Sequence, residues 1–467
     1  MLGLVILLRN FVPQFRPFRW ILRHWQSFWF YFAEYWPVIL ILWGLYKTLL
    51  LLGSLRRSFR RRKSLLSTGE IVLFLFLVIF GTAVSTVAKV LSHGNWPWTG
   101  EGIQVSVEDD DGDLSDDESK FEFEEESSRP VQIEKNTPLS LTINNRNGGV
   151  EVYPHDQPEI KVRLKKIIAA GEEADAKRIA SELKMVWEQS PSEFVLSSSR
   201  DSMGQGSRKG LRTNFTVWVP KSLHLTINNS HGPVTVQGFS GTLQATTSYG
   251  PVVIKEVEGD LQLENKFAPV TVTNLSGSCQ VSGKYGSIEL SQIGGKVEVE
   301  NAYGAITLSK IKGPVSVSNR YNDIVCGELD SSLSIEARHA GVEVNNVKGE
   351  MRITTSYKNI KVVDGSGSIQ IQNKHGDIEI RNHQPLIQPV MVEAEYSGVE
   401  LVLPKESGFE VDATAKYGKV VSDFAGTPIQ VKESKDGPVS RYRASYGAGG
   451  PTLTIMTSYH DIHLSPS

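Results

Sequence analysis

Nine ring-bearing side chains recur every eighteen residues: His231, Tyr249, Phe267, Tyr285, Tyr303, Tyr321, His339, Tyr357 and His375. Two kinds of chemistry could come from such a series. Rings brought into a row offer a contact surface for sugar rings or peptide, and imidazoles can ligate metals or move protons. Spacing argues against the second, because the three histidines lie 36 or more residues apart and the neighbouring repeats hold Tyr or Phe at the same position. Packing, not metal binding, is expected of them. For Tyr249, Phe267, Tyr285, Tyr303, Tyr321 and Tyr357 the alternatives are an exposed binding ladder and an edge that packs to close a corner. We expect the packed edge, with rings largely removed from solvent and hydroxyls at the rim.

With the ring as position 0, the elements that must carry it follow from the repeat. Positions +3 and +5 are apolar, as in Val252/Ile254 and Ile288/Leu290, and so are +12 and +14, as in Leu261/Leu263 and Val297/Val299. Period-two alternation means two half-buried strands per repeat. An aromatic, Val, Ile or Leu fills +8 in seven repeats (Phe239, Val257, Leu275, Ile293, Ile311, Leu329, Val347), and glycines near +1 and +10 give backbone freedom at two corners. One such coil cannot offset its own ordering entropy, but a stack shares hydrogen bonds and a continuous core. The expected fold is therefore all-β: a parallel two-sheet β-solenoid with 18-residue coils stacked about 4.8 Å apart. Asn145, Asn229, Asn265, Asn301, Asn319 and Asn373, at −2, should form an amide ladder that satisfies corner backbone groups. Cys279 and Cys326 fall on different strands three coils apart. That is beyond the roughly 7 Å limit for a disulfide, so both should be buried fillers.

The register continues irregularly through Tyr396, Tyr417, Tyr446 and Tyr459, with extra residues near 382–388 and 404–408. Upstream, LTINN occurs at 141–145 and again at 225–229, which marks an earlier coil with an insertion behind it. The insertion should contain a helix over 172–188, with Ile179, Leu183, Val186 and Trp187 on its apolar face, and strands near 160–168, 193–198 and 214–219. We read it as a small α+β N-terminal cap over the open strand edge.

Enzyme signatures are missing. No HExxH, GxSxG, Walker loop, CxxC or strand-borne GxGxxG occurs, and the outward +4 row (Thr235, Val253, Thr271, Glu289, Thr307, Val325, Glu343, Lys361, Glu379) reads as a shallow, mostly polar row and not as a groove of clustered acids with a base. A non-enzymatic protein without cofactor or catalytic residues is expected. The chain has 467 residues with 49 Lys+Arg against 52 Asp+Glu, a balance that excludes a generally basic nucleic-acid binder. Two cysteines exclude a disulfide scaffold.

The charges are segregated along the chain. Residues 36–53 and 71–91 are apolar runs with one lysine each, Lys47 and Lys89, and approach the ~20 residues a spanning helix needs. Between them, 54–68 holds six basic residues and no acid, which points that loop to the cytoplasm. The chain then divides into an aromatic interfacial arm (1–35), two transmembrane helices with the basic loop (36–92), an acidic linker (93–129), a first coil with the capping insertion (130–230) and the repeats (231–467). The twelve acids between Glu108 and Ser128 read as a solvated, self-repelling stalk. A calcium loop fails there because Val107 would stand at its first ligand position.

From about Pro130 onward, LTINNRNGGVEVYPHDQPEIKVRLKK, NFTVWVPKSLHLTINNSHG, the coils and GGPTLTIMTSYHDIHL resemble the bacterial "putative-adhesin" toast-rack β-strand-repeat domains of unknown function. The membrane part, with WPVILILWG, resembles Lia-type envelope-stress proteins. The resemblance implies an envelope location, with adhesion or stress sensing, and brings no catalytic residues. The expected partners are the lipid bilayer and either a cell-envelope polymer or another membrane protein, with no nucleic acid. The expected location is the cytoplasmic (inner) membrane, with the C-terminal domain extracytoplasmic. This topology predicts that a reporter fused after Gly100 is active only outside the membrane; cytoplasmic activity would overturn it.

Overall fold

The computed structural model describes residues 119–131, 139–190, 192–204, 210–424, 430–431 and 439–467. The apolar runs at 36–53 and 71–91, the basic loop and the calcium-loop candidate lie outside them. Among the described residues no helix is long and apolar enough to cross a membrane.

Period-two alternation becomes two parallel sheets. One is built from Val252–Val257, Val270–Leu275, Ile288–Ile293, Ile306–Ile311, Ile324–Leu329, Val342–Val347, Ile360–Gly365 and Ile378–Arg381. Each strand pairs with the next at an offset of one repeat, as in Ile288↔Ile306. The facing sheet runs through Leu243–Thr247, Leu261–Asn265, Cys279–Gly283, Val297–Asn301, Val315–Asn319, Leu333–Ala337, Met351–Thr355 and Ile369–Asn373 in the same register. Between the sheets, the coils from Tyr249 to His339 each contribute five apolar side chains to one continuous core, and the Tyr357 coil, with Gly365 at +8, contributes four. In the Tyr285 coil these are Ile288, Leu290, Ile293, Val297 and Val299, all at most 2% exposed.

Position +8 reaches that core by a backbone switch. Glu256, Asn274, Gln292, Lys310, Glu328, Asn346 and Asp364, all at +7, adopt left-handed φ of 53–59°. The pairing passes from Lys255↔Thr273 directly to Val257↔Leu275. A non-glycine residue there costs about 1–2 kcal/mol. The gain is that two successive side chains face out and the next turns in, so Val257, Leu275, Ile293 and Ile311 are buried. At the +1 corner coils approach so closely that a Cβ on Gly304 would lie 1.9 Å from the Gly286 carbonyl oxygen.

The first coil is present as expected. Ser140–Asn147 and Val150–His155 pair in parallel with His224–His231 and Val234–Gln237. The insertion between them turns antiparallel: Glu159–Ala170 lies between Leu211–Pro220 and Ser119–Pro130. Two expectations are corrected here. The acidic linker does not extend to residue 129, because Ser119–Pro130 is a twelve-residue strand. Its acids alternate with Phe121 and Phe123, which pack against a small second core of Ile168, Ala176, Ala180, Leu183 and Leu211. On its other face Glu122 and Glu126 meet Lys165 and Arg163 at 2.8 and 2.9 Å, so facing cations offset the repulsion. The helix also stops early, at Glu173–Glu182. Lys166, itself buried, bonds the carbonyls of Ala180 and Leu183 and pairs with Glu125 at 2.7 Å. Met185–Gln189 is a strand antiparallel to Glu193–Ser198, with Trp187 edge-on to Phe194. A β-branched and aromatic pair such as Val186-Trp187 favours that pairing over another helical turn.

At the far end the coils do not follow chain order. Thr452–Ser458 inserts between Val390–Ala394 and Phe409–Lys416, and Ile462–Pro466 between Val399–Leu403 and Val420–Ser422. The sequence order of Ile462–Leu464, after every other repeat, would place it as the strand that closes the stack; the pairing places it inside instead. Val439–Tyr446 folds back antiparallel on Phe409–Lys416, and this hairpin covers the end. Its Arg441 and Arg443 both clamp Asp412, at 3.0 and 2.7 Å.

Two outcomes follow. Val299→Asp buries an unpaired charge and should cost several kcal/mol in denaturant unfolding, on the order of 3, whereas Glu300→Lys faces water and should be near neutral; equal shifts would contradict the register. Hydrogen bonds from Arg443 and Arg441 hold the Asp412 carboxyl below its usual range. Its stabilisation is thus complete above the unfolded value near pH 4 and is lost as pH falls through the lower folded value. The stability gap between wild type and Asp412→Asn should be open at pH 7 and close in acid.

Candidate ligand-binding corner

The ring column emerges from the corner between the two sheets. Twelve rings stack in one row: His231, Tyr249, Phe267, Tyr285, Tyr303, Tyr321, His339, Tyr357, His375, Tyr396, Tyr459 and Tyr417. Successive centroids lie 4.5–5.5 Å apart with planes inclined by 2–16°. Tyr285 and Tyr303 stand 5.0 Å apart, close to the strand spacing that sets them. All six residues of the expected ladder are thus brought together. Tyr459 stands between Tyr396 and Tyr417 because its coil is the inserted one. Tyr446 is not on the row: it is buried against Phe409 and Phe424, and burial pushes its hydroxyl up to about 12.

The expected burial of the rings is overturned. Tyr249, Phe267, Tyr285, Tyr303, Tyr321 and Tyr357 are 40–51% exposed. Position 0 projects from the corner away from the core, so the rings are covered chiefly by one another, with Lys284 and Lys416 against Tyr285 and Tyr417. Each interior ring has both faces against its neighbours, and what it shows to water is an edge, with a hydroxyl where it is Tyr. That geometry decides what the row can do. A sugar ring or nucleobase that binds by stacking needs a free face, and here the faces are taken. A ring edge carries the positive part of the aromatic quadrupole, and a phenol adds a hydrogen-bond donor. Neighbouring hydroxyls also sense one another: interaction with Tyr459, followed by burial, raises the Tyr396 hydroxyl above its ordinary value.

Beneath the rings the asparagines at −2 hold the corner. Asn301 donates to the carbonyls of Gly286 and Gly304, at 2.9 and 3.2 Å, and so ties its own coil to the preceding one. Asn229, Asn265, Asn319 and Asn373 repeat the bond pair, and Asn145 does so from the first coil to Thr213. All six are buried.

Sequence reasoning missed the column beside the rings. Position −1 holds Lys266, Lys284, Arg320, Arg338 and Lys374, all exposed, with Ala302 and Ser356 between them. Reading the repeats down that column, as was done for the apolar ones, would have found it. Cys279 and Cys326 are free, buried and unpaired, and burial pushes both thiols up to about 12. Among the described residues no group of three or more His, Cys, Asp or Glu side chains could hold a metal ion.

A capped stack of parallel coils with an outward ring column describes a repeat-built protein with one long, narrow contact edge. The chain belongs to the Toastrack DUF4097 family, whose pattern matches residues 188–465, more than half its length. No curated protein matches it. The chain is also similar to a solved structure described as "a putative cell adhesion protein from Clostridium sporogenes", with 11% identity, coverage of 74% of this chain and 100% of that one, and a TM-score of 0.16.

Tyr285→Ala removes two ring stacks and should cost about 1–3 kcal/mol in thermal or denaturant unfolding, while Tyr285→Phe keeps both and should be near neutral. A silent alanine variant would mean the stacks contribute nothing. Both thiols should resist a disulfide reagent at pH 8 in the native protein and react fully in denaturant, since only the thiolate attacks.

Proposed function

We propose that this protein is a non-enzymatic, adhesin-like binding protein of the bacterial cell envelope. In this reading the apolar runs at 36–53 and 71–91 anchor it in the cytoplasmic membrane, and the coil stack stands outside as the binding part. The observation that supports it most is the unbroken row of half-exposed rings. A folded protein rarely leaves so long a line of aromatic edges in water without a partner for it, and the asparagine ladder holds the line rigid.

A second reading is favoured by one feature of the sequence. Trp20, Trp25, Phe28, Trp29, Phe30, Tyr31, Phe32, Tyr35 and Trp36 crowd beside the first apolar run. Such density suits contact with a partner membrane protein, and the chain would then be a regulatory component of an envelope-stress response acting through its spans.

A pull-down with the detergent-solubilised full-length protein separates the two. Enrichment of envelope polymer that is lost in a Tyr249→Ala/Tyr285→Ala/Tyr321→Ala variant supports the binding reading. Enrichment of a membrane protein alone, unchanged in that variant, supports the regulatory one and overturns the first.

A further inference from the structure

The ring column and the basic column run side by side over the seven coils from Phe267 to His375, a length of roughly 29 Å at the strand spacing. Five of the seven −1 positions are Lys or Arg and none is acidic. None of the five forms an ion pair among the described residues, whereas Lys296 and Lys348 on the opposite side of the coils do, with Glu298 at 3.2 Å and Asp330 at 2.7 Å. Lys284 instead holds its ammonium 5.2 Å from the centre of the Tyr285 ring. On the far side of the rings Asp323 and Asp377 are turned along the stack, where each accepts a backbone N–H, from Gly341 at 2.9 Å and Gly398 at 3.1 Å. Glu264, Glu300 and Glu336 stand on the adjacent flat face and bound the basic column on that side.

From this we propose that the corner binds a linear polyanionic glycopolymer, laid lengthwise along the stack. The proposal rests on the binding reading above and names its ligand class. Unpaired cations and ring edges are both electropositive, so they act together on anionic groups. The track is a convex corner one residue wide, which fits a single extended chain and not the plane of a membrane. Single-stranded nucleic acid would gain its affinity by stacking bases on free ring faces, and this row has none along its length. Arg and Lys one coil apart can follow a chain whose anionic groups repeat, with the phenol hydroxyls donating to its oxygens.

The test is a binding titration of the full-length protein in detergent with poly(glycerol phosphate), with neutral dextran of matched length and with single-stranded DNA. We expect poly(glycerol phosphate) to bind at least about 10-fold more tightly than dextran or DNA, and to weaken steeply as salt is raised. The variant Lys266→Gln/Lys284→Gln/Arg320→Gln/Arg338→Gln/Lys374→Gln should lose about 10-fold or more and flatten the salt dependence. The pair Lys266→Gln/Lys284→Gln should fall between, and Lys296→Gln/Lys312→Gln/Lys348→Gln, elsewhere on the surface, should match wild type. Unchanged unfolding temperatures confirm that charge alone was altered; if the fivefold variant unfolds, the pair and the salt series decide. Equal binding of dextran, or an unaffected fivefold variant, overturns the anionic ligand and leaves the binding function standing. Tighter binding of DNA overturns the glycopolymer as the partner. Failure to retain any envelope polymer in the pull-down removes the binding function itself.

Discussion

Parallel pairing at a constant offset of eighteen residues governs the rest of this structure. It turns each position of the repeat into a column: apolar at +3 and a ring at 0 in all nine regular coils, and an amide at −2 in five of them. Favourable columns then reinforce one another, as the asparagines do by bonding carbonyls of two coils at once. Unfavourable ones would accumulate in the same way. A column of buried charge would repeat its cost in each coil, and the core columns hold none. The left-handed residues at +7 are the exception that is tolerated, since six of the seven return a buried side chain at +8, the seventh being followed by Gly365.

The sheets, their register and the six-residue ring ladder were legible because columns announce themselves by periodicity. The fate of the rings was not. Spacing told that Tyr285 and Tyr303 would meet, but which way position 0 points depends on the corner backbone, and no alternation marks it. The helix was overextended through Val186 and Trp187 because a 3.6-residue pattern cannot tell an added turn from a following edge strand. The acidic strand Ser119–Pro130 was hidden by its net charge, although FEFE at 121–124 is a period-two signal. Its compensating cations, Lys161, Arg163 and Lys165, lie some forty residues away in sequence.

At each end of the stack at least one sheet abandons parallel pairing, while Val420–Ser422, last in the other sheet at the far end, has only its parallel partner among the described residues. At one, the antiparallel set Ser119–Pro130, Glu159–Ala170 and Leu211–Pro220 covers the sheet; at the other, the Phe409–Lys416 and Val439–Tyr446 hairpin does. Strand edges left bare would recruit other chains. The caps also bound the ring row, so its length is fixed by the number of coils between them.

The order of the last coils bears on biosynthesis. The coil made of Thr452–Ser458 and Ile462–Pro466 leaves the ribosome after both of its neighbours, yet its place is between them, with Val390–Leu403 on one side and Phe409–Ser422 on the other. Growth by simple addition therefore stops at the 390–403 coil, and the following hairpin reaches its seat only when these later strands arrive. A chain ended early by a nonsense codon keeps an open edge that a full-length chain conceals, and exposed edges are what holdases and proteases engage.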